Sequence, residues 1–158
     1  MCGIAGFIQR DTADPRHSQE TLTRMLAAIK HRGPDGQGQQ IMRSASGWRV
    51  ALGHQRLAIL DIAGGAQPMS TPEKGHWITF NGEIFNYQEL SQGLCARGVN
   101  LRTRSDTEVL LHLSALDGAA AAEKLNGMFA YTVWDHRNEV LTLARDRAGI
   151  KPLFYAEL

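Results

Sequence analysis

No regular strand–helix–strand rhythm runs through this chain, and that excludes more folds than any other feature of it. Short runs of strand character come in groups, and amphipathic helical stripes come in pairs. A strand is expected over residues 2–8, followed by a polar loop over 10–16. Ser18 is an N-cap candidate for a helix whose stripe is Leu22, Met25, Leu26 and Ile29, at i, i+3, i+4 and i+7. That helix should stop at the breaker run His31-Arg32-Gly33-Pro34-Asp35-Gly36. Strands follow over 39–43 and 48–53 around a turn at 44–47, then an apolar run over 57–61 and a loop over 62–75. A strand over 77–80 precedes a helix over 86–97, with Asn86 and Glu89 as a capping pair. A strand over 99–102 leads to a second capping pair, Ser105 and Glu108. These open a helix carrying Val109, Leu110, Leu113 and Leu116, which an alanine run over 119–122 extends. The segments 128–135 and 140–145 read as a hairpin about 136–138, and 153–155 as one more strand. This order suits an α+β fold built on antiparallel sheets and does not suit a doubly wound parallel sheet.

The first residues carry the most chemistry. Met1-Cys2 places a small residue after the initiator, so removal of Met1 is expected, leaving a thiol and a free α-amine on Cys2. An α-amine titrates at about 7.7–8 and is partly neutral near pH 7. It can therefore act as base for a thiol on the same residue. The alternative is that Cys2 merely opens a strand as a small apolar side chain. A Cys2–Cys95 disulfide is a minor alternative to two free thiols, and Cys95 reads as partly buried helix filler.

Three further places are ambiguous. Asn81-Gly82-Glu83 follows a strand and is a strong hairpin signal. Equally, an amide side chain beside a glycine N–H offers two oxyanion donors. Ser105-Asp106-Thr107-Glu108 caps a helix, or Asp106 holds a ligand ammonium. Arg56, between two apolar runs, pairs with an internal carboxylate or grips a substrate carboxylate. The glycine-rich stretch 33–38 matches neither a dinucleotide fingerprint nor a P-loop. The six histidines lack metal-ligand spacing, so no metal site is expected. With 17 basic against 16 acidic residues, the chain is not built for nucleic acid or an anionic membrane. Without a signal peptide or an apolar run of membrane-spanning length, a cytoplasmic location is expected.

Seven segments then occur in one order. They are Met1-Cys2-Gly3-Ile4, His31-Arg32-Gly33-Pro34-Asp35-Gly36, Gly53-His54-Gln55-Arg56-Leu57, Asn81-Gly82-Glu83-Ile84-Phe85-Asn86, Ser105-Asp106-Thr107-Glu108, Asn126-Gly127-Met128-Phe129-Ala130 and Arg145-Asp146-Arg147-Ala148-Gly149-Ile150-Lys151-Pro152. Together the chain resembles the glutaminase domain of glutamine-hydrolysing asparagine synthetases, class II glutamine amidotransferases of the N-terminal-nucleophile hydrolases. The resemblance implies an αββα four-layer sandwich over 1–158, two antiparallel sheets between helical layers, incomplete at its C-terminus. It implies Cys2 as nucleophile with its own amine as base, and Asn81 and Gly82 as oxyanion donors. Arg56 would bind the α-carboxylate of glutamine, and Glu83 and Asp106 its α-ammonium. Arg32 and Asp35 are expected to be loop structure only. The ATP-binding S-G-G-x-D-S loop of the synthetase domain has no match in the sequence. No cofactor is therefore expected here, with ATP and magnesium belonging to that other domain. The expected partners are glutamine and an ammonia-accepting synthetase domain, with a homodimer as an open assembly. A related enzyme amidating another acceptor, an amidohydrolase acting on another amide and a non-catalytic module are the competing readings.

Overall fold

The computed structural model describes residues 1–12, 14–57 and 64–157. Strands β1 (Gly3–Arg10), β2 (Gly36–Arg43) and β3 (Trp48–Arg56) form an antiparallel sheet in the order β1-β3-β2. Strands β4 (Met69–Ser70), β5 (His76–Ile84), β6 (Gly127–Asp135) and β7 (Val140–Arg145) form a second, in the order β4-β5-β6-β7. The helices are α1 (Pro15–Ala28), α2 (Tyr87–Ala96) and α3 (Asp106–Asp117).

The alternation of side chains along β3 sets the layering. Ala51 packs outward with Leu22 and Leu26 of α1. Val50 and Leu52 face the other way and pack with Met42 and with Trp134 of β6. The second sheet repeats the logic. Trp134 and Trp77 face the first sheet, whereas Ile78, Phe80, Phe129, Tyr131 and Val133 pack beneath Leu110 and Leu111 of α3. The result is helix, sheet, sheet, helix: the expected four layers.

Local capping differs from the sequence expectation in several places. Helix α1 starts one turn early, with Asp14 as its cap and Pro15 in its first turn. Proline is suited to that position because its missing N–H would be unpaired anyway. Ser18 is instead buried inside the helix, accepting from Arg49 Nη1 at 2.8 Å and from Gln9 Nε2 at 3.1 Å. Asn86 precedes α2 without capping it. Its side chain ties the helix entrance to the segment before β6, donating to Lys124 O and accepting from Asn126 N. Ser105 does cap α3, accepting from Thr107 N at 3.2 Å. Glu108 does not return to Ser105; it accepts from the backbone N–H groups of Arg102 and Thr103.

Strand limits also move. β1, β2 and β3 each run longer than expected, and the stretch read as loop contains the two-residue β4. Residues 99–102 form no strand. Val99 and Leu101 pack against Leu94, Val109 and Leu113 between α2 and α3. Residues 153–155 form none either, and Phe154 and Tyr155 are exposed. The extension after α3 is a 3-10 helix over Gly118–Lys124. Most of the apolar run expected over 57–61 lies outside the described residues, as do 62 and 63.

The largest departure is at Asn81-Gly82. β5 continues straight through it, with Asn81 opposite Ala130, Gly82 opposite Phe129 and Glu83 opposite Met128. A two-residue hairpin of type I′ needs positive φ at both central residues, and neither Asn81 nor Gly82 has it. Glycine is needed here for another reason. A Cβ at 82 would strike Met128 O and sit 2.7 Å from Phe129 Cα, so only glycine lets β5 and β6 approach this closely.

Candidate active site between the sheet ends

Cys2, Arg56, Asn81, Gly82, Glu83 and Asp106, far apart in sequence, line one cleft of about 170 Å³. The registers explain the convergence. β1 begins opposite the end of β3, with Gly3 paired to Gln55, so Cys2 comes to lie beside Arg56 and Leu57. The Cys2 thiol accepts from Leu57 N at 3.3 Å and lies 3.5 Å from Leu57 O. Met1 still precedes it at the cleft. Asn81 and Glu83 share the face of β5 that looks toward the first sheet, two residues apart. Asn81 is 4% exposed. Asp106 reaches the same cleft from the first turn of α3, where its Oδ2 accepts from Ile84 N at 3.1 Å.

Electrostatics divide the cleft into poles. Arg56 supplies positive charge. Glu83 and Asp106 together form an anionic pole. Burial pushes both carboxyls above their ordinary range; at Glu83 the Asp106 carboxylate adds to the rise, while Lys151 opposes it. At Asp106 the donations from Ile84 and Thr107 work against burial without cancelling it. Two carboxylates and a guanidinium lining one small cleft suit a ligand carrying both an ammonium and a carboxylate.

Several residues of the site escaped the sequence reading. Arg32, expected to be loop structure, donates from Nε to Cys2 O at 3.1 Å and so holds the N-terminal strand in place. Its neighbour Gly33 is pressed against the backbone of Gln55 and Arg56, with no room for a Cβ. Asp35 N donates to Arg56 O at 2.9 Å. The breaker run therefore buttresses the end of β3 as well as stopping α1. His54, 1% exposed, meets Phe80 O through Nε2 at 3.1 Å and links the two sheets directly before Asn81. Burial lowers its pKa to about 4, which leaves it neutral and makes Nε2 the donor. Gln67 accepts from Phe80 N at 2.6 Å and donates to Thr107 at 3.3 Å. Lys151 returns to the cleft from beyond β7. Nothing in the spacing of His54, Gln67 or Lys151 marks them; only tertiary pairing brings them in. Cys95 is exposed on α2, away from the cleft, and both cysteines are free thiols, which overturns both the buried-filler reading and the disulfide alternative.

Among the described residues no helix is long and apolar enough to cross a membrane. No group of three or more His, Cys, Asp or Glu among them is placed to hold a metal ion.

Comparison with known proteins identifies the family and the fold. Residues 1–158 match the family described as glutamine amidotransferase domain. The chain is 42% identical to asparagine synthetase [glutamine-hydrolyzing] 1 of Bacillus subtilis (strain 168), covering 100% of this chain and 24% of that protein. It is 36% identical to asparagine synthetase B [glutamine-hydrolyzing] of Escherichia coli (strain K12), covering 98% of this chain and 26% of that one. It thus spans about a quarter of the length of the curated relatives it matches. A solved allosteric regulatory enzyme of purine biosynthesis shares the fold, with a TM-score of 0.70 at 23% identity over 92% of this chain and 37% of its own. The glutamine phosphoribosylpyrophosphate amidotransferase of B. subtilis does so with a TM-score of 0.65 at 20% identity, over 90% of this chain and 37% of its own. With its two antiparallel sheets between helices and its full-length match, the chain belongs to the glutamine amidotransferase domain family and has the N-terminal-nucleophile hydrolase type of fold.

Proposed function

We propose that this domain hydrolyses glutamine to glutamate and ammonia through a thioester on Cys2. One observation carries the reading: the six side chains and backbone groups that such chemistry needs converge on one cleft from two strands, a helix start and the N-terminus. Once Met1 is removed, the Cys2 amine takes the thiol proton and Sγ attacks the side-chain carbonyl carbon of glutamine. The carbonyl electrons move to oxygen, which the Asn81 amide and the Gly82 N–H stabilise. Collapse of that intermediate breaks the C–N bond, and the amine's proton leaves with ammonia. Water then attacks the thioester, releasing glutamate and restoring the thiol. Arg56 holds the substrate carboxylate, and Glu83 with Asp106 its ammonium. These anchors fix the amide at Sγ and select a free amino acid over other amides. The steps balance with water alone and use no cofactor.

The ammonia would pass to an acceptor activated by a synthetase domain. The names of the relatives favour aspartate as acceptor and asparagine as product, with ATP and magnesium entering only there.

The test is glutamate release by the protein whose N-terminus mass spectrometry shows to be Cys2. Turnover should vanish in Cys2→Ala. An electrophilic glutamine analogue should modify Cys2 and spare the exposed Cys95. Turnover surviving in Cys2→Ala would remove the thioester route.

A further inference from the structure

Lys151 is a cation with little reason to be where it is unless the cleft uses it. It is 6% exposed, and a buried ammonium needs a compensating anion. It arrives there by a rigid device. Asp146, itself 4% exposed, accepts from Ile150 N at 2.8 Å through Oδ1, and from Lys151 N at 3.0 Å and Phe129 N at 3.1 Å through Oδ2. Its own N–H donates to Phe129 O at 2.8 Å. Burial works against the Asp146 charge, but these donors outweigh it and hold the carboxyl below its ordinary range. Gly149, at φ +67°, makes the turn between Asp146 and Lys151. The clamp therefore fixes Lys151 against the residue of β6 that pairs with Gly82. Beyond the clamp, the ammonium meets Met1 Sδ at 3.1 Å, a weak acceptor that departs if Met1 is removed.

The charges facing the cleft among the described residues can be counted by element. β3 gives Arg56 and neutral His54, β5 gives Glu83, α3 gives Asp106, and the segment after β7 gives Lys151. Setting aside the N-terminal amine and the Cys2 thiol, two cationic and two anionic side chains sum to zero. A zwitterionic amino acid adds no net charge to such a cleft. Without Lys151 the same ligand would meet a net negative cleft, and its anionic pole would be two desolvated carboxyls with no cation of their own.

We propose that Lys151 is a positioning residue of the amino-acid subsite: clamped by Asp146, it is the counter-charge that keeps Glu83 a carboxylate beside Asp106. Its loss leaves Glu83 to take up a proton, because two neighbouring carboxylates disfavour joint ionisation. The subsite then presents one charge to a ligand ammonium instead of two. The inference builds on the glutamine-binding reading, so its primary test needs no turnover.

That test is the 13C-carboxyl NMR titration of Glu83, assigned with Glu83→Gln, in the unaltered protein, Lys151→Met and Lys151→Arg. The Glu83 midpoint should move toward neutral pH in Lys151→Met and return in Lys151→Arg. An unmoved midpoint in folded Lys151→Met overturns the proposal whether or not the protein hydrolyses glutamine. A shifted midpoint in a protein without glutaminase activity would uphold the proposal and reject the functional reading instead. In an active protein, Lys151→Met should raise KM for glutamine about tenfold at the acid end of the pH range, the worth of one lost charge-assisted contact, and much less at the alkaline end. An equal loss at every pH, not rescued by arginine, would mean that Lys151 serves only packing.

Discussion

Replacing Asn81 separates catalysis from architecture more cleanly than any other change in the cleft. The residue lies mid-strand, opposite Ala130, and is 4% exposed. Its backbone pairing survives any side chain, so Asn81→Ala should keep the β5–β6 register. The amide is expected to donate to the oxyanion only as charge develops. Losing one such donor costs about 10²–10³ in kcat, roughly 2.7–4 kcal/mol, with KM little changed. Asn81→Asp should be worse. A carboxylate about 4 Å from the oxyanion repels it by roughly 4 kcal/mol at an effective dielectric near 20. That adds up to about a further 10³ in rate while the new group is ionised. Glu83, on the same face two residues on, and the nearby Asp106 would push the new carboxyl toward its neutral acid, a hydrogen-bond donor. Lower pH should therefore recover part of the lost rate in Asn81→Asp and none in Asn81→Ala. The assay is glutamate release across pH for both variants, beside their thermal midpoints. Near-normal kcat in a well-folded Asn81→Ala would refute the oxyanion role and reduce Asn81 to a strand residue.

Two more outcomes follow from the charged poles. Arg56→Ala should raise KM for glutamine by about tenfold or more with a smaller effect on kcat, because a carboxylate anchor acts in ground and transition states alike; unchanged KM would make Arg56 an internal ion-pair partner. Asp106→Asn should hold or raise the thermal midpoint at pH 7 while weakening glutamine binding. The folded state favours the neutral acid of Asp106, since burial raises its pKa. Its contribution to stability therefore falls as pH rises from the ordinary carboxylate value through the raised one, and stays low above it. Asparagine keeps an acceptor for Ile84 N and removes that fall. A large loss of stability at pH 7 would show that the carboxylate is structural.

The fold class was legible because it depends on order and periodicity. The stripe at Leu22 and Leu26 faces the outside of one sheet, and Val109, Leu110 and Leu113 are buried on α3 as their spacing implies, whereas Leu116 of the same stripe is exposed. The errors arose where a local rule met a tertiary demand. Asn81-Gly82 has turn chemistry, yet the glycine is spent on strand approach, which only the register with Met128 and Phe129 reveals. Ser18 has cap chemistry, yet Arg49 on β3 takes its hydroxyl as a buried acceptor. The breaker run signals a helix stop and conceals that Arg32 carries the Cys2 carbonyl.

The candidate site was legible in part, and the division has a geometric cause. Cys2 precedes β1, Arg56 ends β3, Glu83 nears the end of β5, Asp106 opens α3 and Lys151 follows β7. Each lies at or near an element boundary, and antiparallel pairing gathers those boundaries at one edge of the stacked sheets. A boundary residue has few neighbours in its own element, so its polar side chain can turn toward the cleft. His54, by contrast, sits inside β3 with its ring consumed by Phe80 O. It reaches the cleft wall without an exposed polar atom to mark it, and its contribution is to fix the strand that carries Asn81. Of the residues proposed to face the substrate, Cys2, Arg56, Glu83 and Asp106 thus left a mark in sequence as polar side chains at or near element ends, whereas Asn81 lies mid-strand and was marked only by its turn chemistry. Those that hold the substrate-facing residues in place are ordinary members of strands and turns, and only the folded chain distinguishes them.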